Sequence, residues 1–271
     1  MKKKQNKILL SIIIILILVV IGVIAFIIFK NIKESEEQQN YNNLSSSYAS
    51  DIQESSQESN SNANKIEPPE DIDTNSVANP INFSDLKNIN SDIYSWIYIP
   101  NTNINYPVCQ SQVDDNYYLD HDVYFNSSYS GAIYSQYCNS RDYSDRVTVL
   151  YGHNMANGSM FANLHKFADA DFFNNNKYIY IYTEDRKLTY EIVSAFAYDD
   201  RHIMNSFDFE DDSVFRDYLD MIVNPHSLTK NVRSGITLDT DDKILVLSTC
   251  LNSGEGRYLV QGVLVKNEST K

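Results

Sequence analysis

Cys250 and Arg257 lie seven positions apart, a thiol and a guanidinium that together can support nucleophilic catalysis. A cysteine acts as a nucleophile only as thiolate, and a fixed positive charge beside it favours the thiolate or a developing oxyanion. Arginine suits that task because it stays protonated and offers several donors. The flanking sequence supplies elements that bring the two together. Ile244–Leu247 is a short, continuous apolar run that reads as a strand buried on both faces, and Tyr258–Val265 is its natural partner. An antiparallel hairpin closed by Leu251–Gly256 places Cys250 at the end of one strand and Arg257 at the start of the next. The same two residues also fit a plainer reading, a small buried hydrophobe and a solvated edge charge.

A thiolate that attacks an amide needs a partner to protonate the leaving amine, and histidine has the suitable pKa. The histidines are His121, His153, His165, His202 and His226. His153 leads on position: it follows the strand Val147–Tyr151, with Gly152 permitting a sharp exit, and site residues collect at strand ends on β scaffolds. His165 lies in a helical stretch and His226 follows a proline, so each reads as packing or surface. The acids at Asp199, Asp200 and Glu210–Asp212 form no loop of alternating ligands, and neither a metal nor a cofactor is expected.

The chain has 271 residues, enough for one mid-sized domain with appendages. Residues 1–7 are a basic tail, and residues 8–29 are apolar except for Ser11, long enough as a helix to span about 30 Å of hydrocarbon. No small-residue cleavage site ends that run, which favours an uncleaved anchor over a signal peptide. Lysines before the run outnumber those after it, so the positive-inside rule puts the N-terminus inside and the rest outside the membrane. Residues 30–79, rich in Gln, Asn, Ser and Glu, read as a flexible extracellular stalk, and residues 80–271 as the folded domain. The net charge is −14, but the first 33 residues carry six lysines and no acid, leaving 16 basic against 36 acidic residues beyond them. Nucleic acid is excluded as a partner, since phosphate binding needs clustered Lys and Arg that this surface lacks. Three cysteines, Cys109, Cys138 and Cys250, imply at least one free thiol; a Cys109–Cys138 bridge is open, with two buried free thiols the simpler reading.

Within the domain, Phe83–Ile89 has helical spacing with Ser84 as its cap. Short strand-like runs follow at Ile93–Ile99, Ile104–Cys109, Ala132–Tyr134, Val147–Tyr151, Tyr178–Tyr182 and Leu188–Ser194, while Asn163–Ala170 looks helical. This frequency of short strands predicts a mostly antiparallel barrel or sandwich. Before Lys243 an insertion carries an amphipathic helix, capped by Ser213, with Val214, Phe215, Tyr218, Leu219 and Ile222 on one face. Such a helix either walls a groove or covers an edge strand.

Tyr151–Met155, Leu247–Cys250 and Arg257 together resemble the sortases, membrane-anchored cysteine transpeptidases of Gram-positive surfaces, and class B most of all. Trp96-Ile97, Tyr106–Gln110, Asn116–Leu119 and Gly158–Phe161 support the likeness, which covers about residues 83–266. The resemblance implies an eight-stranded sortase-type β-barrel with an N-terminal helix and a helical insertion between strands 6 and 7, preceded by one transmembrane helix. It implies that Cys250 attacks the Thr carbonyl of a C-terminal sorting motif on a secreted protein, forming a thioacyl enzyme. His153 then protonates the leaving amine, Arg257 holds the oxyanion or substrate backbone, and a cell-wall peptidoglycan precursor amine resolves the intermediate. Leu119 matches a groove-lining position, and Ser248 and Thr249 flank the nucleophile, so these three are the substrate-binding candidates. The chain departs from the pattern in a shorter loop from Cys250 to Arg257 and in Asp115, which occupies a slot usually held by Asn.

Two other readings use the same residues. A secreted cysteine endopeptidase or peptidoglycan hydrolase shares the Cys and His but normally orients its histidine with a third polar residue. A pilin-polymerising sortase is nearer, but no Asp-Pro-aromatic lid segment precedes the domain. A non-enzymatic surface adhesin would leave Cys250 no more reactive than the other thiols.

Overall fold

The apolar runs become strands in the computed structural model of the chain, which describes residues 2–49, 52 and 76–271. In chain order they are β1 (Ile93–Tyr98), β2 (Asn105–Cys109), β3 (Ile133–Tyr134), β4 (Val147–Tyr151) and β5 (Tyr178–Tyr182). After these come β6 (Arg186–Tyr198), β7 (Lys230–Val232), β8 (Ile244–Cys250) and β9 (Arg257–Ser269). Their order is β5-β1-β2-β3-β4-β8-β9-β6-β7, and β5 also pairs with β6. Eight strands therefore close into a barrel without free edges, while β7 pairs with the far end of β6, beyond the reach of β5. The expected eight-stranded barrel is what forms. It is not uniformly antiparallel: β2 pairs with β3, and β4 with β8, in parallel. A parallel pair needs a long crossover, and here most of the domain between Tyr151 and Ile244 supplies it.

Helix α1 (Lys2–Tyr48) is followed by α2 (Phe83–Ile89), α3 (Ala170–Asn175), α4 (Ile203–Ser206) and α5 (Asp212–Val223). The helical stretch expected at residues 163–170 is a 3-10 helix over Ala162–Ala168 that leads into α3. Two caps each lie two residues earlier than expected. Asn82, not Ser84, accepts from the Asp85 amide, and Asp211, not Ser213, accepts from the Ser213 and Val214 amides. The carboxylate of Asp211 is the better cap because it also faces the positive helix end.

Strand alternation divides the apolar residues into two cores. Leu150, Leu245, Leu247, Tyr258 and Val260 point into the barrel with Ile97, Ile181 and Tyr190. Val147, Val149, Ile244, Val246, Leu259 and Val263 point outward and are covered by Phe215, Tyr218, Leu219 and Ile222 of α5. Each of those side chains, fully buried, contributes about 1.5–3 kcal/mol of burial. The insertion between β6 and β8, the sixth and seventh strands of the barrel in chain order, thus covers the outer face that β8 and β9 share.

The N-terminal region differs from expectation. Residues divide into one unit ending at Asn40 and a second running from Tyr41 to Lys271. Residues 41–49, expected in a flexible stalk, belong to the folded unit. Tyr41, Leu44 and Ala49 are buried, the Tyr41 hydroxyl donates to the Gly131 carbonyl at 2.8 Å, and Asn82 N–H donates to the Tyr48 carbonyl. Tyr41, Leu44 and Tyr48 recur at helical spacing on one face, a stripe hidden by the polar average composition. Val77 and Asn79 exchange backbone hydrogen bonds with Ser269 and Lys271, so the domain does not begin at residue 80. Residues 53–75, the middle of the expected stalk, lie outside the described residues. All three thiols are free, and Cys138 is exposed rather than buried.

Candidate active site

Register and face determine where the chemistry-bearing side chains fall. β8 and β9 pair Leu247 with Val260, Thr249 with Tyr258 and Cys250 with Arg257. Since Leu247 and Tyr258 point into the barrel, Cys250 and Arg257 point out of it, on the face that the insertion partly covers. Arg257 Nη1–H donates to Cys250 Sγ at 3.3 Å. Gly256 makes this approach possible. Its φ is +86°, and a Cβ there would lie 2.6 Å from the Tyr198 carbonyl oxygen.

The parallel pairing of β4 with β8 brings the histidine in. Tyr151 is opposite Ser248, and continuing that register by two residues sets His153 opposite Cys250. The pairing continues through side chains: Thr249 Oγ1 donates to the Gly152 carbonyl at 2.8 Å, and Asn154 Nδ2 donates to the Cys250 carbonyl at 3.1 Å. Gly152 is needed for space, since an added Cβ would sit 2.5 Å from Ile133 Cδ1 and 2.8 Å from the Phe161 ring. His153 Nε2 lies 2.8 Å from the Leu119 carbonyl. A carbonyl only accepts, so Nε2 carries the hydrogen and Nδ1 is the nitrogen left to exchange a proton. Tyr129 stacks on the ring at 5.8 Å between centroids.

The other site candidates occupy different surroundings. Leu119 is 45% exposed, an apolar side chain on the rim beside His153. Ser248 and Thr249 are only 4% and 2% exposed. The Thr249 hydroxyl is committed to Gly152, so it ties the two strand ends together. Asp115, in the atypical slot, accepts from the Tyr137 amide at 2.7 Å.

Several contributors carry no local sequence signal. Tyr134 and Tyr151 are paired across β3 and β4 with ring centroids 5.5 Å apart. Burial pushes the Tyr134 phenol up to about 12 and Tyr151 higher, with Arg257 pulling each back in part. Both therefore remain neutral near Cys250 at physiological pH. From the insertion, His202 Nε2 donates to Gln136 Oε1 at 2.6 Å and lies 3.4 Å from the Tyr151 hydroxyl. His165, expected to be packing or surface, bonds the Cys250 carbonyl at 3.0 Å. Among the described residues, no group of three His, Cys, Asp or Glu side chains is placed to hold a metal.

Known proteins share this arrangement of strands. The sortase domain model matches residues 97–265. Sortase B of Listeria monocytogenes is 34% identical over 190 residues, 67% of this chain and 73% of that protein. The crystal structure of sortase B from Clostridium perfringens superposes with a TM-score of 0.62 at 35% identity, covering 68% of this chain and all of that one. A sortase B–substrate complex from Staphylococcus aureus, at 24% identity, shares the fold with a TM-score of 0.68 over 87% of this chain and 99% of that one. A barrel that superposes on that of sortase B, matched by the family model over most of its length, makes this chain a class B member of the sortases, a family of cysteine transpeptidases.

Proposed function

We propose that the chain is a membrane-anchored transpeptidase that cleaves a C-terminal sorting motif after Thr and joins the acyl half to a cell-wall peptide amine. The observation that carries this reading is the Arg257–Cys250 contact at 3.3 Å on the strand end that the His153 strand adjoins. The Cys250 thiol gives its proton to His153 Nδ1, and the thiolate attacks the Thr carbonyl carbon, forming a C–S bond while the carbonyl electron pair moves to oxygen. Arg257 stabilises that oxyanion. As the C–N bond breaks, His153 Nδ1–H gives its proton to the leaving nitrogen. An incoming amine attacks the thioester, returns a proton to Nδ1 and releases the thiolate. Leu119, apolar and exposed beside His153, suits contact with an apolar side chain of the motif. One helix among the described residues is long and apolar enough to cross a membrane, which supports anchoring through residues 8–29 with the barrel outside. The substrate complex of the Staphylococcus aureus relative supports a peptide substrate here.

The test is intact-mass analysis of the full chain in detergent, mixed with a panel of C-terminal sorting peptides, beside Cys250→Ser. The expected result is a mass increase equal to the acyl half of one peptide, absent in the variant, and diverted to a ligated product by added oligoglycine or a diaminopimelate-type amine. Hydrolysis that no amine diverts would support the endopeptidase reading instead.

A further inference from the structure

The backbone carbonyl of Cys250 is held by two side chains that the chemistry above does not use. Asn154 Nδ2 lies 3.1 Å from that oxygen and 2.8 Å from Asn252 Oδ1, so both amide hydrogens are engaged. His165 Nε2 lies 3.0 Å from the same carbonyl oxygen and 3.2 Å from Asn154 Nδ2. With both Asn154 hydrogens directed at oxygens, His165 Nε2 must carry the hydrogen that it gives to Cys250. The two lone pairs of the carbonyl are then both filled. The His165 ring is fixed from its side, stacking on Tyr258 at 4.8 Å between centroids. Tyr258 is the residue next to Arg257 and pairs with Thr249.

We infer that Asn154 and His165 form a clamp that positions the nucleophile, holding the Cys250 backbone so that its thiol stays against Arg257 and opposite His153. Cys250 is the last residue of β8, beyond which Leu251–Gly256 forms a turn, so its carbonyl lies at the end of a strand pair rather than in its middle. Asn154 follows His153 directly. One amide group therefore ties the backbone after the proton carrier to the backbone of the nucleophile, and to Asn252 in the turn. His165 adds a third element, the 3-10 helix Ala162–Ala168, and through Tyr258 reaches the strand that carries Arg257. All three active groups are thereby registered to a single carbonyl oxygen. The inference rests on the reading of Cys250 as nucleophile, and the clamp side chains themselves touch no reacting atom.

The experiment measures alkylation of Cys250 by iodoacetamide in the full chain at neutral pH, read by peptide mass, beside thermal unfolding of each variant. Iodoacetamide needs no knowledge of the peptide substrate. His165→Phe keeps a ring on Tyr258 but removes the donor, and is expected to slow Cys250 alkylation about fivefold. His165→Gln restores an N–H donor and is expected to recover the rate to within about twofold. Asn154→Ala removes two donors and is expected to slow it about thirtyfold. Wild-type rates in His165→Phe and Asn154→Ala would overturn the clamp. So would a His165→Gln as slow as His165→Phe with an equal fall in Tm, which marks a purely structural ring. Peptide acylation surviving in Cys250→Ser would instead refute the nucleophile assignment, an outcome separate from the variant series.

Discussion

Replacing Arg257 by Ala tests the electrostatic core of the site. At 3.3 Å the interaction of a full charge with the guanidinium is about 5 kcal/mol at an effective dielectric of 20, and about 1.3 kcal/mol in bulk water. Both Cys250 and Arg257 are half-buried, which places the real value between those limits. Loss of a single oxyanion donor in a comparable acyl-transfer site costs about 2.7–4 kcal/mol, inside the same window. Arg257→Ala is therefore expected to slow thioacyl formation about 10²–10³-fold. The effect should fall on kcat, with KM nearly unchanged, because the oxyanion that Arg257 stabilises develops only in the transition state. Arg257→Lys keeps a point charge but loses the planar fork, so a loss of about tenfold is expected. A half-buried side chain removed from the barrel rim changes stability by about 0.5 kcal/mol, so Tm should move by no more than about 2 °C. The assay is rapid-quench intact mass of the acyl enzyme with the peptide that forms an adduct. Acylation by Arg257→Ala within threefold of the parent would refute the assigned role, and so would a loss confined to KM.

Other perturbations test the surrounding structure. Gly152→Ala forces a methyl group against Ile133 and Phe161, with an expected destabilisation of about 1–3 kcal/mol by thermal melting. The accompanying shift of His153 should cut acylation about 10²-fold, and an unchanged rate would show that the strand exit tolerates the crowding. Burial raises the phenols of Tyr143, Tyr190 and Tyr218 and the thiol of Cys109, and lifts Tyr94 to about 12. Their folded pKa values exceed the unfolded ones, so this stability is present at neutral pH and is lost as pH rises past about 9–10. Tm should fall between pH 9 and 11, by about 1.4 kcal/mol of stability per pH unit for each group that ionises only when unfolded, and a flat Tm would contradict the burial. A maleimide should label exposed Cys138 in the folded chain but reach Cys109 only after denaturation. Cys138→Ser should leave acylation unchanged, and a loss of rate would place that thiol in the mechanism.

The hairpin that presents Cys250 and Arg257 was legible because its determinants are local. An apolar run, a Gly-rich turn and a second run set the register, and the register sets the pair. The amphipathic stripe Phe215–Ile222 was legible for the same reason. The second partner of β8 was not, because β4 joins it in parallel across a crossover of some ninety residues, and nothing nearby in sequence records such a pairing. His153 was identified by its strand end, whereas the contact that orients it comes from a Leu119 carbonyl, and any residue has a carbonyl. His165 was set aside as packing because its partner is likewise a backbone oxygen, supplied by a strand end 85 residues away. The burial of Tyr41 and Leu44 escaped a composition-based reading that averaged a three-residue stripe into its polar surroundings.

That stripe changes what a break in the backbone would mean. Tyr41, Leu44 and Tyr48 are packed into the same body as Val77, Asn79 and the barrel, and residues 53–75 connect the two segments. A protease that cut once within that connection would leave the helix end seated as a peptide ligand, held by its buried rings and by the Tyr41–Gly131 hydrogen bond. Covalent continuity would become a binding equilibrium with its own dissociation constant and off-rate. Release of the barrel from α1 would then lag behind cleavage, and an added peptide spanning residues 41–52 would compete with the resident segment.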